Sequence, residues 1–224
     1  MRKAISVIIT LVLIFILTLS TACTPKNEPA PQVPQQNNQS GQNNDQEEEK
    51  PGTVDTKISE YFPLTQGSSW KYKGEGNEYA SFSREVLFTE GKRAQIREDN
   101  GGTVSAAIYV VSDKDIIRTF FQGEAYGETN FLAEEPTENT AILMTPLQVG
   151  TKWEEPNGIR EIESIDETVE TPAGVFTDCL KVKISSMGAT VYEYFKAGVG
   201  MVKREYISGD TKVTSALEEY EIKE

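Results

Sequence analysis

The amino-acid sequence predicts an all-β domain: a curved antiparallel sheet, a half-barrel or a sandwich, with little helix. Three observations carry this. Apolar residues recur mostly with a period of two, as they do in strands with one buried face. Turn signals punctuate the chain at Glu90-Gly91, Asn100-Gly101-Gly102, Gly123, Pro156-Asn157-Gly158, Pro172-Ala173-Gly174, Gly188, Gly198-Val199-Gly200 and Ser208-Gly209-Asp210. Long amphipathic helices are missing. Evenly spaced short strands of this kind build antiparallel folds.

The first element is an export segment. Arg2 and Lys3 make a positive start, and Ala4 to Leu19 is apolar apart from Ser6, Thr10 and Thr18. Ser20-Thr21-Ala22 are small and precede Cys23. This pattern resembles a lipoprotein-processing site, with Ser20 third before the cysteine and Leu19 one residue further back. The resemblance implies cleavage before Cys23, a diacylglyceryl group on its sulfur, and an extracytoplasmic chain anchored to the membrane. Several buried acyl methylenes, at about 0.8 kcal/mol each, make such an anchor lasting. A plain transmembrane anchor or a soluble secreted chain are the alternatives. A span takes roughly 20 apolar residues, and this run is slightly short.

Residues 23–57 read as the lipidated cysteine and a disordered tether. Pro25 to Pro31, the Gln/Asn stretch 35–44 and Glu47-Glu48-Glu49-Lys50-Pro51-Gly52 contain no aromatic residue. Such a composition buries too little apolar surface to offset chain entropy. The tether would span roughly 30–35 Å relaxed and on the order of 110 Å taut.

Residues 58–224 read as one β-rich domain. Ile58 to Phe62 suits a single helical turn. The series Ala80-Phe82-Arg84-Val86-Phe88, Leu180-Val182-Ile184 and Val191-Glu193-Phe195 alternate with polar neighbours and predict strands. Ile159, Ile162 and Ile165 have near-helical spacing, but their β surroundings favour a strand over 159–167.

One pattern occurs twice. Pro63-Leu64-Thr65-Gln66-Gly67-Ser68-Ser69-Trp70 and Pro146-Leu147-Gln148-Val149-Gly150-Thr151-Lys152-Trp153 share P-L-x-x-G-x-x-W, 83 positions apart. Two similar β-units, 62–144 and 145–224, would explain it; so would one turn type used twice. Proline fixes φ, glycine permits a positive φ, and tryptophan opens a strand as a large packing residue. Both tryptophans read as core rather than as sugar-stacking platforms.

Thr171-Pro172-Ala173-Gly174-Val175-Phe176-Thr177-Asp178-Cys179 and the later Tyr194-Phe195-Lys196-Ala197-Gly198-Val199-Gly200-Met201-Val202 resemble the T-P-A-G-x-F-x-x-C strand entry and Y-x-x-x-G-V-G-x-V hairpin of a family of uncharacterised bacterial surface lipoproteins. The resemblance covers the last third of the chain, and Tyr61-Phe62-Pro63-Leu64 more loosely. The wider pattern is similar to lipoproteins of the LolA/LolB type, which implies a curved antiparallel sheet around an apolar concavity. These motifs are turns and strand starts, and no catalytic residue comes with them.

Composition narrows the chemistry. There is no histidine, which removes Ser-His-Asp and Cys-His nucleophile systems and the commonest transition-metal ligand. Cys179 is the only thiol besides Cys23 and reads as a packing residue; Lys181, two residues on, is the cation that could activate it. The acidic pairs Glu134-Glu135, Glu154-Glu155 and Glu218-Glu219 could in principle serve glycoside hydrolysis, but 35 acidic residues make any one pair uninformative. Asp113-Lys114-Asp115 and Asp99-Asn100-Gly101-Gly102 lack EF-hand spacing and read as turns. No catalytic residue, cofactor site or metal site is assigned. The formal charge is −13, and removing residues 1–22 leaves 20 basic against 35 acidic residues, or −15. That argues against a nucleic-acid footprint and against electrostatic adhesion to anionic lipid.

The expected function is therefore a non-catalytic binding or interaction module, lipid-anchored through Cys23 outside the cytoplasm. An apolar ligand or an envelope protein is the expected partner. An adaptor without a ligand cavity is the alternative, and a carboxylate-based hydrolase the third.

Overall fold

The computed structural model describes residues 56–156 and 158–224. The export segment, Cys23 and nearly all of the tether lie outside them.

A 3₁₀ turn, Ile58–Tyr61, precedes twelve strands. They are β1 (Ser69–Glu75), β2 (Phe82–Glu90), β3 (Arg93–Asp99), β4 (Val104–Val111), β5 (Asp115–Gln122), β6 (Thr140–Met144), β7 (Lys152–Glu155), β8 (Gly158–Thr171), β9 (Gly174–Ser186), β10 (Ala189–Lys196), β11 (Gly200–Ser208) and β12 (Thr211–Glu221). All twelve form one antiparallel sheet in the order β6-β5-β4-β3-β2-β1-β12-β11-β10-β9-β8-β7. The predicted all-β class is the observed one, as a nearly closed barrel rather than a sandwich.

The order is a meander in which the first strand pairs with the last. The β1–β12 ladder runs from Ser69 opposite Glu221 to Glu75 opposite Thr214. The sheet's two edges are instead β6 and β7, consecutive strands in mid-chain. Register shifts interrupt the ladders β1/β12, β2/β3, β4/β5, β5/β6, β8/β9 and β10/β11. Such bulges increase local twist, and curl a sheet this wide toward closure.

Alternation sends one face of each strand inward. Trp70 and Tyr72 of β1, Ile96 of β3, Ile162 of β8, Val182 of β9 and Phe195 of β10 are buried there. Ile58, Tyr61 and Phe62 plug one end of this core. Gly198 N–H donates to Glu60 O at 2.8 Å, and the Phe62 and Tyr109 rings lie 4.9 Å apart, which fixes the plug. In β2, Phe82, Arg84 and Val86 point inward. The bulge after Val86 then turns Phe88 outward, against the expectation that all five alternating residues share one face.

The outer face is covered over β3–β5 by residues 123–139. Ile108, Phe120 and Leu132 form a second small core there. Gln95, 1% exposed, fastens the covering segment: its Nε2 donates to Thr129 O at 2.8 Å, and Phe131 N–H donates to its Oε1 at 2.7 Å. The adjacent pair Phe120-Phe121 is thus divided between two environments, Phe120 under this cover and Phe121 on the inner face.

The two P-L-x-x-G-x-x-W copies adopt the same turn. Gly67 and Gly150 have φ of 83° and 89°, a region glycine enters without penalty. Gly67 N–H donates to Val86 O, Val86 N–H to Ser68 O, and Ser68 N–H to Thr65 O. Gly150 N–H donates to Ile162 O, Ile162 N–H to Thr151 O, and Thr151 N–H to Gln148 O. Both tryptophans are buried, Trp70 donating Nε1–H to Val199 O at 2.7 Å and Trp153 to Ala141 O at 3.0 Å. The first copy opens β1, which pairs along its whole length with β12 across one bulge. The second opens β7, which meets β6 without a ladder.

Candidate functional site: the seam between β6 and β7

At the seam, side chains take the place of a backbone ladder. Glu155 Oε1 accepts from Ala141 N–H at 2.7 Å, Trp153 Nε1–H donates to Ala141 O, and Arg160 Nη1 donates to Ile142 O at 3.4 Å. Three groups of the β6 edge are thereby satisfied from β7 and β8. Alternation dictates this arrangement. Trp153 and Glu155 are two apart on β7, and Arg160 lies opposite Trp153, so all three project to the inner face.

Arg160 is one of four inward arginines. The others are Arg84 on β2, Arg118 on β5 and Arg204 on β11, one on every third strand. Together with Tyr109, Thr140 and Glu193 they line a chamber of about 80 Å³. Each has a carboxylate. Arg84 Nε donates to Glu98 Oε2 at 2.7 Å, and Arg118 donates twice to Glu138, at 2.5 and 3.2 Å. Glu193, 5% exposed, takes Arg160 Nη1 on one oxygen at 2.9 Å and Arg204 Nε and Nη2 on the other, each at 3.0 Å.

The electrostatics follow from burial and pairing. Burial alone would raise the Glu193 carboxyl, but Arg160 and Arg204 outweigh it and hold the group at about 2. Glu98 is likewise depressed: burial opposes, and Arg84 and Arg204 prevail. Glu155 goes the other way. Burial pushes it above the usual carboxylate range against the Ala141 N–H and the more distant Arg160 and Arg118.

A cleft of about 490 Å³ opens at the seam, lined among others by Arg118, Glu138, Thr140, Glu155, Arg160 and Ile184. Arg118, Thr140 and Arg160 line both cleft and chamber, so the chamber lies directly behind the cleft. Two polar atoms of these lining residues, Arg160 Nε and Glu155 Oε2, are buried and have no hydrogen-bond partner among the described residues. By contrast, the pocket beneath the plug, lined by Phe62, Trp70, Tyr72 and Ile96 among others, holds about 10 Å³, the space of about one water.

The residues singled out in the sequence fall elsewhere. Cys179 is fully buried in the apolar core, and burial pushes its thiol up to about 11 despite Lys196 nearby. Lys181 does not activate it; Lys181 Nζ pairs with Glu163 at 2.8 Å. The acidic pairs do not converge. Glu218 and Glu219 both hold Lys71, at 3.0 and 3.3 Å, Glu154 is exposed while Glu155 turns inward, and Glu134 and Glu135 lie exposed on the outer cover. Asp99 and Asn100 accept from Gly101, Gly102 and Thr103 N–H, and Asp115 accepts from Ser112 Oγ, so both acidic stretches are closed turns. The arginine chamber escaped sequence reasoning, although a signal for it was present. Arg84 and Glu193 each stand in phase with apolar residues of an alternating series, where a charge has to be buried.

No protein-family model matches the chain, and no curated protein matches it. Two solved structures are similar to it. One is a "putative lipoprotein" from Parabacteroides distasonis, at 17% identity over 72% of this chain and 98% of that one, with a TM-score of 0.43. The other is a "putative exported protein with YmcC-like fold" from Bacteroides fragilis, at 15% identity over 71% and 98%, with a TM-score of 0.44.

Proposed function

We propose that this chain is an exported lipoprotein, cleaved before Cys23 and held at the outer face of a membrane by lipid on that sulfur. On this reading, residues 24–57 are a tether and residues 58–224 a non-catalytic binding module whose site is the cleft at the β6–β7 seam. One observation carries the choice of site. The place where the sheet fails to close is also where a roomy cleft opens and where two buried polar atoms have no partner among the described residues.

Energetics support a binding role over a purely structural one. Replacing a buried ion pair by well-packed apolar residues is often neutral or stabilising by about 1–4 kcal/mol. Four buried or half-buried guanidiniums inside a small barrel are therefore a costly way to fill a core. The volume and lining of the seam cleft suit a small polar ligand. The pocket under the plug, at about 10 Å³, is too small for an apolar ligand. The net charge of −15 after processing leaves lipid as the link to the membrane.

Two measurements on the full-length chain, purified from a membrane fraction in mild detergent, test the reading. Mass spectrometry of the N-terminal peptide should find Cys23 as the first residue, bearing diacylglyceryl. Native mass spectrometry should find a small molecule held one to one. An unmodified Cys23 refutes the anchor, and a chain that never carries a ligand refutes the binding module.

A further inference from the structure

We infer that the seam cleft binds a small protonated oxyanion, such as hydrogen phosphate, a phosphate monoester or an α-hydroxy carboxylate, between Arg160 Nε and Glu155 Oε2. This rests on the binding-module reading and adds the ligand's class.

The two atoms offer one donor and one acceptor. Arg160 Nε is an N–H donor on a cation, and Arg160 is 8% exposed. Glu155 Oε2 is an acceptor, since Oε1 already takes the Ala141 N–H. Both atoms are buried without a partner among the described residues, and both residues line the same cleft. Such groups are rare in folded proteins, and they usually serve to hold a water, ion or ligand. A ligand satisfying both must present an anionic oxygen to the guanidinium and an O–H to the carboxylate. Hydrogen phosphate and a hydroxy acid carry both groups; sulfate and acetate carry the oxygen alone.

Among the described residues, Arg84, Arg118, Arg160 and Arg204 pair with Glu98, Glu138 and Glu193. Glu155, the fourth carboxylate of this region, makes no ion pair within 4.0 Å among the described residues. Four guanidiniums thus face four carboxylates, so it is the unused donor of Arg160, not an excess of positive charge, that invites an anionic oxygen. The oxyanion could be free or carried by a lipid headgroup, and the experiment separates these sources.

The test uses full-length chain in detergent at pH 8, where phosphate is chiefly the monohydrogen dianion. Titration calorimetry with inorganic phosphate, sulfate, glycolate and acetate should show phosphate binding at least about tenfold tighter than sulfate, and glycolate at least about tenfold tighter than acetate, the worth of one charge-assisted hydrogen bond. Glu155→Gln keeps a carbonyl for Ala141 N–H but offers an NH₂ where Oε2 was. It should erase both preferences while keeping the melting temperature. Arg160→Lys keeps the charge beside Glu193 but loses Nε, and should weaken phosphate by about tenfold or more. Titration with short-chain phosphatidic acid at pH 6, where the monoester keeps part of its O–H, against inorganic phosphate assigns the source: a headgroup site binds the lipid at least about tenfold tighter than free phosphate, and a site for free phosphate does not. Equal affinity for phosphate and sulfate, or variants that bind like the wild type, overturns the inference. If native mass spectrometry shows a ligand while these titrations fail, the ligand class is wrong and the binding module stands. If both fail, both are wrong.

Discussion

Replacing Glu193 by glutamine should cost stability in a way that only a buried ion pair produces. Glu193 is 5% exposed and bridges Arg160 and Arg204, whose nitrogens lie 2.9–3.0 Å from its oxygens. The two guanidiniums hold its carboxyl at about 2 against an unperturbed 4.5. Linkage converts that difference into about 3 kcal/mol of stability at neutral pH. The folded value is the depressed one, so the contribution is fully present above about pH 4.5 and is lost as pH falls toward 2. Glu193→Gln should therefore be about 3 kcal/mol less stable than wild type at pH 7, a fall of roughly 6–12 °C in Tm for a domain of this size. The gap should shrink steadily below pH 4.5, because a protonated Glu193 resembles the glutamine. Urea unfolding followed by circular dichroism at pH 7, 5, 4 and 3 gives both quantities. A gap that stays constant with pH would mean that packing sets the cost. No gap at pH 7 would refute the ion-pair account altogether.

Three further outcomes follow from the same structure. Trp153→Phe keeps the buried ring but removes the N–H donor to Ala141 O; it should cost about 1–3 kcal/mol and speed amide exchange in β6 more than in β1, and equal speeding in both strands would contradict the seam description. Cys179 should resist iodoacetamide at pH 8 in the folded chain and react once the chain is unfolded in urea, because burial holds its thiol near 11; rapid labelling of folded protein would show the core reading to be wrong. Gln95→Leu leaves Thr129 O and Phe131 N–H without their partner, costing about 1–3 kcal/mol for each unsatisfied buried group. Limited proteolysis should then cut within residues 123–139 well before the barrel, and a cut elsewhere first would refute the fastening role.

Much of the fold was legible in the sequence because strand alternation and turn chemistry are local. The series Leu180-Val182-Ile184 and Val191-Glu193-Phe195 lie on the inner face as their period requires. Strand was the right reading of 159–167, since tertiary pairing overrides the helical spacing of three isoleucines; Ile162 is fully buried while Ile159 points out, 47% exposed. The expectation failed at Phe88, where a one-residue bulge reverses the phase, and no residue type marks that bulge. The closing pair β1–β12 and the open seam β6–β7 were not legible either. They depend on which edges meet after curling, and no nearest-neighbour pattern encodes that. The site was half legible. Arg84 and Glu193 stood visibly among apolar residues, but their meeting with Arg118, Arg160 and Arg204 is a property of the barrel. Glu155 was noticed only as one of many adjacent acids, and its distinction comes from projecting under β6.

The central claim is that the β6–β7 seam is a binding site. Native mass spectrometry of the full-length chain from the membrane fraction, comparing wild type with Glu155→Gln and Arg160→Lys, tests it most directly. The account predicts a one-to-one small-molecule adduct on the wild type that is depleted in both variants. An adduct of equal abundance on all three chains, or none on the wild type, would contradict it.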